Sequence, residues 1–139
     1  MQTKEQTVRS EIEYLLPERI VLSENFENAE VFLKEREKCA SFRNKNNATA
    51  LRKGSKIVLD FGREICGGIR IITFDAGING AKLRISFGES LGEAMSVIGY
   101  KNATNNHSPR DLECLVSTLS DLSFGQTAFR FVLIEVLND

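Results

Sequence analysis

The feature that most constrains the fold is the stretch 56–89, in which apolar and polar side chains alternate over short distances. It contains three strand-like runs, residues 56–61, 68–74 and 81–87. The last run alternates most strictly, with apolar side chains at three alternate positions, Leu83, Ile85 and Phe87. A period of two is typical of a β-strand with one buried and one solvated face. Residues 62–67 and 75–80 predict the two connections, and Asn79-Gly80 predicts a hairpin-like pairing of the second and third runs.

Further strands are predicted on either side of this stretch. Residues 19–22 form a short apolar run, and residues 110–118 alternate with three side chains directed inward, Leu112, Cys114 and Val116. Residues 128–137 are the most apolar run of the chain, which predicts a strand in the middle of a sheet. Residues 119–127 are polar and predict a turn region.

Helical patterns are few. Residues 3–16 carry apolar side chains at helical spacing, and Pro17 would end such a helix. Ser23, Asn25 and Asn28 are candidate caps for a second helix over residues 28–38, and residues 93–98 predict a helical turn. The weakly patterned residues 90–109 predict a long loop, a feature that is usually functional or mobile in a compact domain.

Strands joined by short turns predict a mainly β chain folded as an antiparallel β-sandwich. A parallel sheet would need long helical crossovers, which this spacing lacks. A chain of 139 residues supports one hydrophobic core. We therefore predict an N-terminal helical extension over residues 1–17 and a β-sandwich domain over residues 18–139.

Composition argues against several classes of partner. The net charge of −1 indicates no basic surface, so we expect no nucleic acid partner. No apolar run approaches the roughly 20 residues of a membrane span, and the polar N-terminus lacks a signal sequence, so we expect a cytoplasmic protein that contacts no membrane. The three cysteines are widely spaced without a CxxC motif, which predicts reduced thiols and no zinc site. We expect no cofactor and no bound metal.

Candidate catalytic groups each have a structural alternative. Glycoside hydrolysis needs two facing carboxylates, for which Asp60 with Glu64, or Glu89 with Glu93, are the candidate pairs. We place Asp60 on the solvent face of its strand, and we favour a structural role for these acids, in turns or in pairs with arginine. His107 is the single histidine, and no nucleophile motif lies near it, which favours a loop residue over a catalytic one.

Oxygen-bearing side chains are frequent in residues 89–111, but their spacing does not match an EF-hand loop. Hydrogen bonds from these side chains to the backbone explain such a composition as well.

Four segments occur in an order that is characteristic of one enzyme family. They are LDFGREICGGIRI at 59–71, LRISFGESLGEAM at 83–95, KNATNNHSPRD at 101–111 and FGQTAFRFVLIEVL at 124–137. Together they resemble the β-sandwich region that precedes the catalytic barrel in bacterial α-L-rhamnosidases of glycoside hydrolase family 78. The resemblance covers roughly residues 18–137.

The resemblance implies a jelly-roll or lectin-like sandwich that is an accessory to an (α/α)₆ barrel. In that family the barrel carries the acid and base that remove terminal α-linked rhamnose, and these residues have no counterpart here. We therefore expect a non-catalytic domain whose partners are the barrel of its parent chain and, at its surface, a rhamnose-containing saccharide.

For contact with a sugar we favour the loop at 89–111, with hydrogen-bonding side chains at Asn105, His107, Arg110 and Asp111. Arg63 and Glu64, in an exposed turn, are second choices. Two alternatives remain. A free-standing carbohydrate-binding module usually presents exposed aromatic rings, whereas this chain has no Trp and two Tyr. A structural or oligomerising domain would instead expose an apolar patch to a second copy.

Overall fold

The computed structural model describes residues 12–34, 49–96 and 110–138. In these ranges the chain is mainly β and antiparallel, as predicted. The five strands are β1 (Arg19–Glu24), β2 (Lys56–Thr73), β3 (Ala81–Gly88), β4 (Asp111–Val116) and β5 (Ser120–Val136). They form one sheet in the order β1-β2-β5-β3-β4.

Two short helices accompany the sheet in the described ranges, a 3₁₀ helix over Ala29–Leu33 and α1 over Leu91–Met95. The helix predicted over residues 28–38 is present only as this 3₁₀ helix, which ends at Leu33 because Lys34 is already extended, and Asn28 makes no side-chain cap hydrogen bond. Residues 35–38 lie outside the described ranges. Residues 12–17 have no regular secondary structure, so the predicted N-terminal helix does not continue to Leu16. Neither described helix is long and apolar enough to cross a membrane.

The long strands β2 and β5 form a ribbon that folds back over the rest of the sheet. Their pairing runs from Lys56 with Glu135 to Thr73 with Ser120 and is interrupted between Asp60 and Ile65 and between Gly67 and Ile69. Ile71 pairs with Leu122, yet it packs against a cluster that contains Val136. A flat strand from residue 122 to residue 136 would span roughly 45 Å. The ribbon must therefore bend, and the single sheet forms the two layers of a sandwich.

Glycines make this bend possible. The pairing of β2 with β5 shifts register between Gly67 and Ile69. A Cβ atom on Gly68 would overlap the backbone carbonyl groups of Phe124 and Gly125, so no other residue fits at this approach. Gly125 has a φ of 81° and lies against the ring of Phe87, which a Cβ atom would meet at 2.6 Å.

The core lies between the two layers. Its aromatic centre is a set of three rings, in which Phe129 lies 4.8 Å from Phe87 and 5.6 Å from Phe61, measured between centroids. Ile57, Leu59, Ile85 and Val132 are buried around them. The predicted inward faces of β3 and β4 are confirmed.

The strands differ from the sequence prediction in three places. Residues 62–67 are not a connection but part of β2, and residues 119–127 are not a turn region but belong almost entirely to β5. The predicted hairpin across Asn79-Gly80 does not form, because β5 lies between β2 and β3. The physical reason is exposure: the outer part of the ribbon is solvated, so its polar side chains resemble those of a turn.

Candidate functional site

Charged side chains concentrate at one end of the sheet, where β3 ends at Gly88. They form two groups. The first, which we call the bulge site, consists of Glu18, Arg19, Asp60, Gly62 and Arg130. The second, which we call the loop base, consists of Arg84, Ser96, Glu93, Arg110 and Asp111.

The bulge site begins with a break in the pairing of β2 and β5. Asp60 pairs with Phe131 and Ile65 pairs with Phe129, so residues 61–64 stand opposite Arg130 alone. Gly62 has a φ of 79°, a conformation that glycine adopts at little cost. The extra residues bulge out of the strand, and the side chains of Arg63 and Glu64 are exposed there. Bulges of this kind redirect side chains and often lie beside functional sites.

Asp60 is the centre of the bulge site. Its side chain is 1% exposed. Its carboxylate accepts hydrogen bonds from Nε of Arg130 at 2.9 Å, from Nε of Arg19 at 2.6 Å and from the backbone N–H of Gly62 at 2.7 Å. A buried charge is costly unless it is paired and hydrogen-bonded, and this one is both.

These contacts determine the protonation state of Asp60. The hydrogen bonds from Arg130 hold its pKa well below the ordinary range, Arg19 and the Gly62 amide act in the same direction, and burial opposes them. The group is therefore a carboxylate at neutral pH. A general acid must carry a proton at the working pH, so Asp60 is unsuited to that role.

Glu18 completes the bulge site from the edge strand. Its backbone N–H donates to the carbonyl oxygen of Asp60 at 2.8 Å. Its carboxylate lies directly over Gly62, in space that a Cβ atom there would occupy. Gly62 is favoured by its backbone angle, since the exposed Glu18 side chain could move to make room for a Cβ atom.

The loop base joins the two sides of the segment 97–109, which lies outside the described ranges. Arg84 donates two hydrogen bonds to Asp111, at 3.0 and 2.7 Å, and one to the carbonyl oxygen of Ser96 at 3.2 Å. The hydrogen bonds to Asp111 raise the pKa of the Arg84 guanidinium. One arginine therefore holds the last residue before this segment close to the beginning of β4.

Arg110 makes the second connection at the loop base. It forms ion pairs with Glu93 of α1 and, at 3.7 Å, with Glu89. Its backbone carbonyl accepts from the N–H of Phe87 at 2.7 Å. Helix α1 is itself capped, because the side chain of Ser90 accepts from the N–H of Glu93 at 3.2 Å.

Four of the six residues predicted to contact sugar lie in the described ranges, and they lie at two separate places. Asn105 and His107 lie outside the described residues. Arg110 and Asp111 are engaged in ion pairs at the loop base, whereas Arg63 and Glu64 are exposed on the bulge of β2. Strands β5 and β3 lie between β2 and β4 in the sheet, so the two described pairs are on strands that are not neighbours.

The sequence prediction placed Asp60 on the solvent face, and this was wrong. The side chain is buried because Arg19 and Arg130 close over it from the neighbouring strands. One residue in the sequence indicated that this face is buried. The apolar Val58 lies two positions earlier on the same face of the strand, and it is also fully buried. The structural role predicted for Asp60, as a partner of turn amides and arginine, is confirmed.

The remaining chemistry of the described residues is limited. They contain no group of three His, Cys, Asp or Glu side chains arranged to hold a metal ion. Cys66 and Cys114 are free thiols, and burial raises the pKa of Cys114 to about 11, which makes it a poor nucleophile.

No protein-family model matches the chain, and no curated protein matches it in sequence. The fold is similar to that of a solved structure described as a rhamnosidase from Klebsiella oxytoca with rhamnose bound. The two share 18% sequence identity with a TM-score of 0.60, and the match covers 89% of this chain and 25% of that one. This chain spans about a quarter of that protein's length. The resemblance found in the sequence is thus confirmed at the level of the fold.

Proposed function

We propose that this chain is a non-catalytic β-sandwich domain of an α-L-rhamnosidase of glycoside hydrolase family 78, in which it supports a catalytic barrel. The observation that carries the proposal is the extent of the structural match. Nearly the whole chain, 89%, is similar to a part that makes up 25% of a rhamnosidase. A likeness of that extent is the one expected of a single domain of a larger enzyme.

The chemistry of the described carboxylates supports a non-catalytic role. Glycosidases use one carboxyl group that is protonated and one that is ionised, across the bond that breaks. Asp60 is ionised and enclosed by two arginines, and Glu93 is paired with Arg110. Both candidate pairs named from the sequence therefore contain an acid whose contacts serve the fold.

Hydrolysis of an aryl α-L-rhamnoside tests the proposal. We expect the complete gene product to be several times heavier than the 15.6 kDa of this chain and to release the aryl group, and we expect the 139-residue chain to release none. Hydrolysis by the 139-residue chain would overturn the proposal. So would a native product with the mass of 139 residues alone.

A narrower proposal concerns contact with the sugar. The bulge presents Arg63 and Glu64 to solvent beside the rigidly held Asp60, so their hydrogen-bonding groups are available to sugar hydroxyls. Asn105 and His107 remain the corresponding candidates in the loop.

Calorimetric titration of the chain with L-rhamnose would separate the two sets. Under this proposal, Arg63→Ala with Glu64→Ala, or Asn105→Ala with His107→Ala, weakens binding by about tenfold, a loss of about 1.4 kcal/mol. Unchanged affinity in both double variants would show that neither set contacts the sugar.

A further inference from the structure

Opposite the charged end of the sheet, three large aliphatic side chains lie exposed on adjoining segments. Ile78 is 104% exposed, Leu115 is 61% exposed and Leu119 is 45% exposed. We call these three residues the apolar tip. Single exposed aliphatic residues are ordinary, but a group of them at one place is typical of an interaction surface.

The apolar tip is built on turns that are bound to one another. The hydroxyl oxygen of Thr118 accepts from the N–H of Ala76 at 3.0 Å, and the N–H of Leu119 donates to the carbonyl of Phe74 at 3.1 Å. Within the first turn, the N–H of Gly77 donates to Asp75 at 2.9 Å. The turns that carry Ile78 and Leu119 are therefore held together rather than independent.

The backbone of Leu119 adds a second unusual feature. Its φ of 54° lies in the left-handed region, which a leucine seldom adopts. Strained residues of this kind persist where the surrounding structure holds them, and they concentrate at functional surfaces. Here the strain keeps a leucine at an exposed position where a glycine would be easier to accommodate.

The C-terminal end of the described chain lies beside the apolar tip. The side chain of Asn138 donates to the carbonyl of Gly80 at 3.2 Å and accepts from the N–H of Lys82 at 2.6 Å. A Cβ atom on Gly80 would lie 3.1 Å from Cδ1 of Leu115. Gly80 thus touches both the end of the chain and a member of the apolar tip.

We propose that the apolar tip is the surface on which the domain that continues the polypeptide beyond Asp139 docks. This inference rests on the proposed function, which supplies that domain. A tethered partner is present at a high effective concentration, so a small patch beside its attachment point can hold it. The ion pair of Lys82 with Glu113, at 3.0 Å, lies next to Leu115 on the sheet and would form part of a polar rim. The docking face of the partner is therefore expected to be apolar at its centre and polar at its edge.

Hydrogen–deuterium exchange of the complete gene product tests the inference. The test variant combines Ile78→Ser, Leu115→Thr and Leu119→Gly, which remove apolar area without burying a new group. We expect it to speed exchange in peptides that cover residues 75–80 and 115–119 by about tenfold, because docking protects them in the parent protein. The matched control is Met95→Ser, which removes a side chain that is 45% exposed on α1, at the other end of β3. It should leave exchange at the tip unchanged.

The same variant in the 139-residue chain separates docking from local loosening. Equal acceleration in the short chain and in the complete product would overturn the inference, because the turns themselves would then have loosened. So would a complete product that hydrolyses the rhamnoside while its tip exchanges as fast as in the short chain, although the proposed function would stand. A short chain that dimerises through a protected tip, measured by light scattering, would assign the surface to a second copy instead. A gene product of 139 residues alone would remove the proposed function itself.

Discussion

The two ends of β3 differ in which costly arrangement they contain: a buried charge at one end and exposed apolar side chains at the other. At the Gly88 end, the carboxylate of Asp60 is buried and is enclosed by Arg19 and Arg130. Before Ala81, apolar side chains are exposed, and those of Ile78 and Leu115 extend into solvent. A charge that is satisfied inside the domain contributes to its own fold, whereas apolar area left outside is available to something else. We therefore expect substitutions at the charged end to change the stability of the domain, and substitutions at the apolar tip to change its interactions.

The largest effect is expected at the charged end, from Asp60→Ala. The substitution leaves Arg19 and Arg130 without their carboxylate and opens a polar gap in the sheet. We expect a loss of about 3 kcal/mol in the free energy of unfolding, measured by urea denaturation. The matched control is Glu113→Ala, since its ion pair with Lys82 is more than half exposed on both sides. It should cost under about 1 kcal/mol. Equal losses would show that the burial of Asp60 carries no special weight.

The stability of the domain is expected to depend on pH through the carboxylate of Asp60. The pKa of Asp60 is lower in the folded chain than in the unfolded chain, so the unfolded chain binds a proton first as the pH falls. Its contribution is complete above the unfolded pKa of about 4 and is lost as the pH drops towards the folded value. Asp121, whose pKa Arg70 lowers, adds to the same trend.

Thermal midpoints between pH 6 and pH 2 check this prediction. The wild-type midpoint should fall steeply below pH 4, and that of Asp60→Asn should fall less, because the titrating group has gone. Parallel curves for the two proteins would mean that Asp60 does not titrate differently in the folded state.

A smaller effect of opposite sign is expected at the apolar tip. Leu119→Gly relieves the left-handed backbone at a φ of 54° and removes a side chain that is 45% exposed and belongs to neither cluster of buried core residues. We expect the free energy of unfolding of the chain to rise by up to about 1 kcal/mol. A loss of stability would show that the Leu119 side chain supports the fold, and the contrast between the two ends would fail there.

The smallest effect is expected from Ile78→Ser. The side chain is fully exposed, so its removal should change the free energy of unfolding by less than about 0.5 kcal/mol. This substitution is also part of the variant expected to release docking in the complete product. The measurement therefore shows whether any effect on docking arises without a loss of stability. A large destabilisation would assign Ile78 to the core of the fold instead.

Part of the fold could be predicted from the local pattern of apolar residues. The alternation of Leu83, Ile85 and Phe87 predicted the buried face of β3, and the apolar run at 128–137 predicted the centre of the sheet. The N-terminal part of β5 was not readable in this way. Its residues form the solvated outer ribbon, and solvated strands in a two-stranded ribbon share the composition of turns.

The candidate site was predicted only in part, since its contacts join residues far apart in the chain. Arg19 and Arg130 lie 41 and 70 positions from Asp60. The apolar Val58 on the same face indicates a buried position, but nothing in the local pattern around Asp60 identifies the two distant arginines that enclose it. Arg84, which holds the loop base, reads locally as an ordinary outward residue of β3.

Local sequence patterns predicted the fold class, the inward faces of β3 and β4, and the ordered segments that resemble a rhamnosidase domain. These are properties of short stretches, in which the period of apolar residues and the position of glycines act directly. Which strands are neighbours, which charges form pairs and which aliphatic side chains remain exposed became clear from the folded arrangement alone. Those outcomes depend on where the β2–β5 ribbon bends at Gly68 and Gly125, and a bend is a relation between two strands rather than a pattern in either one.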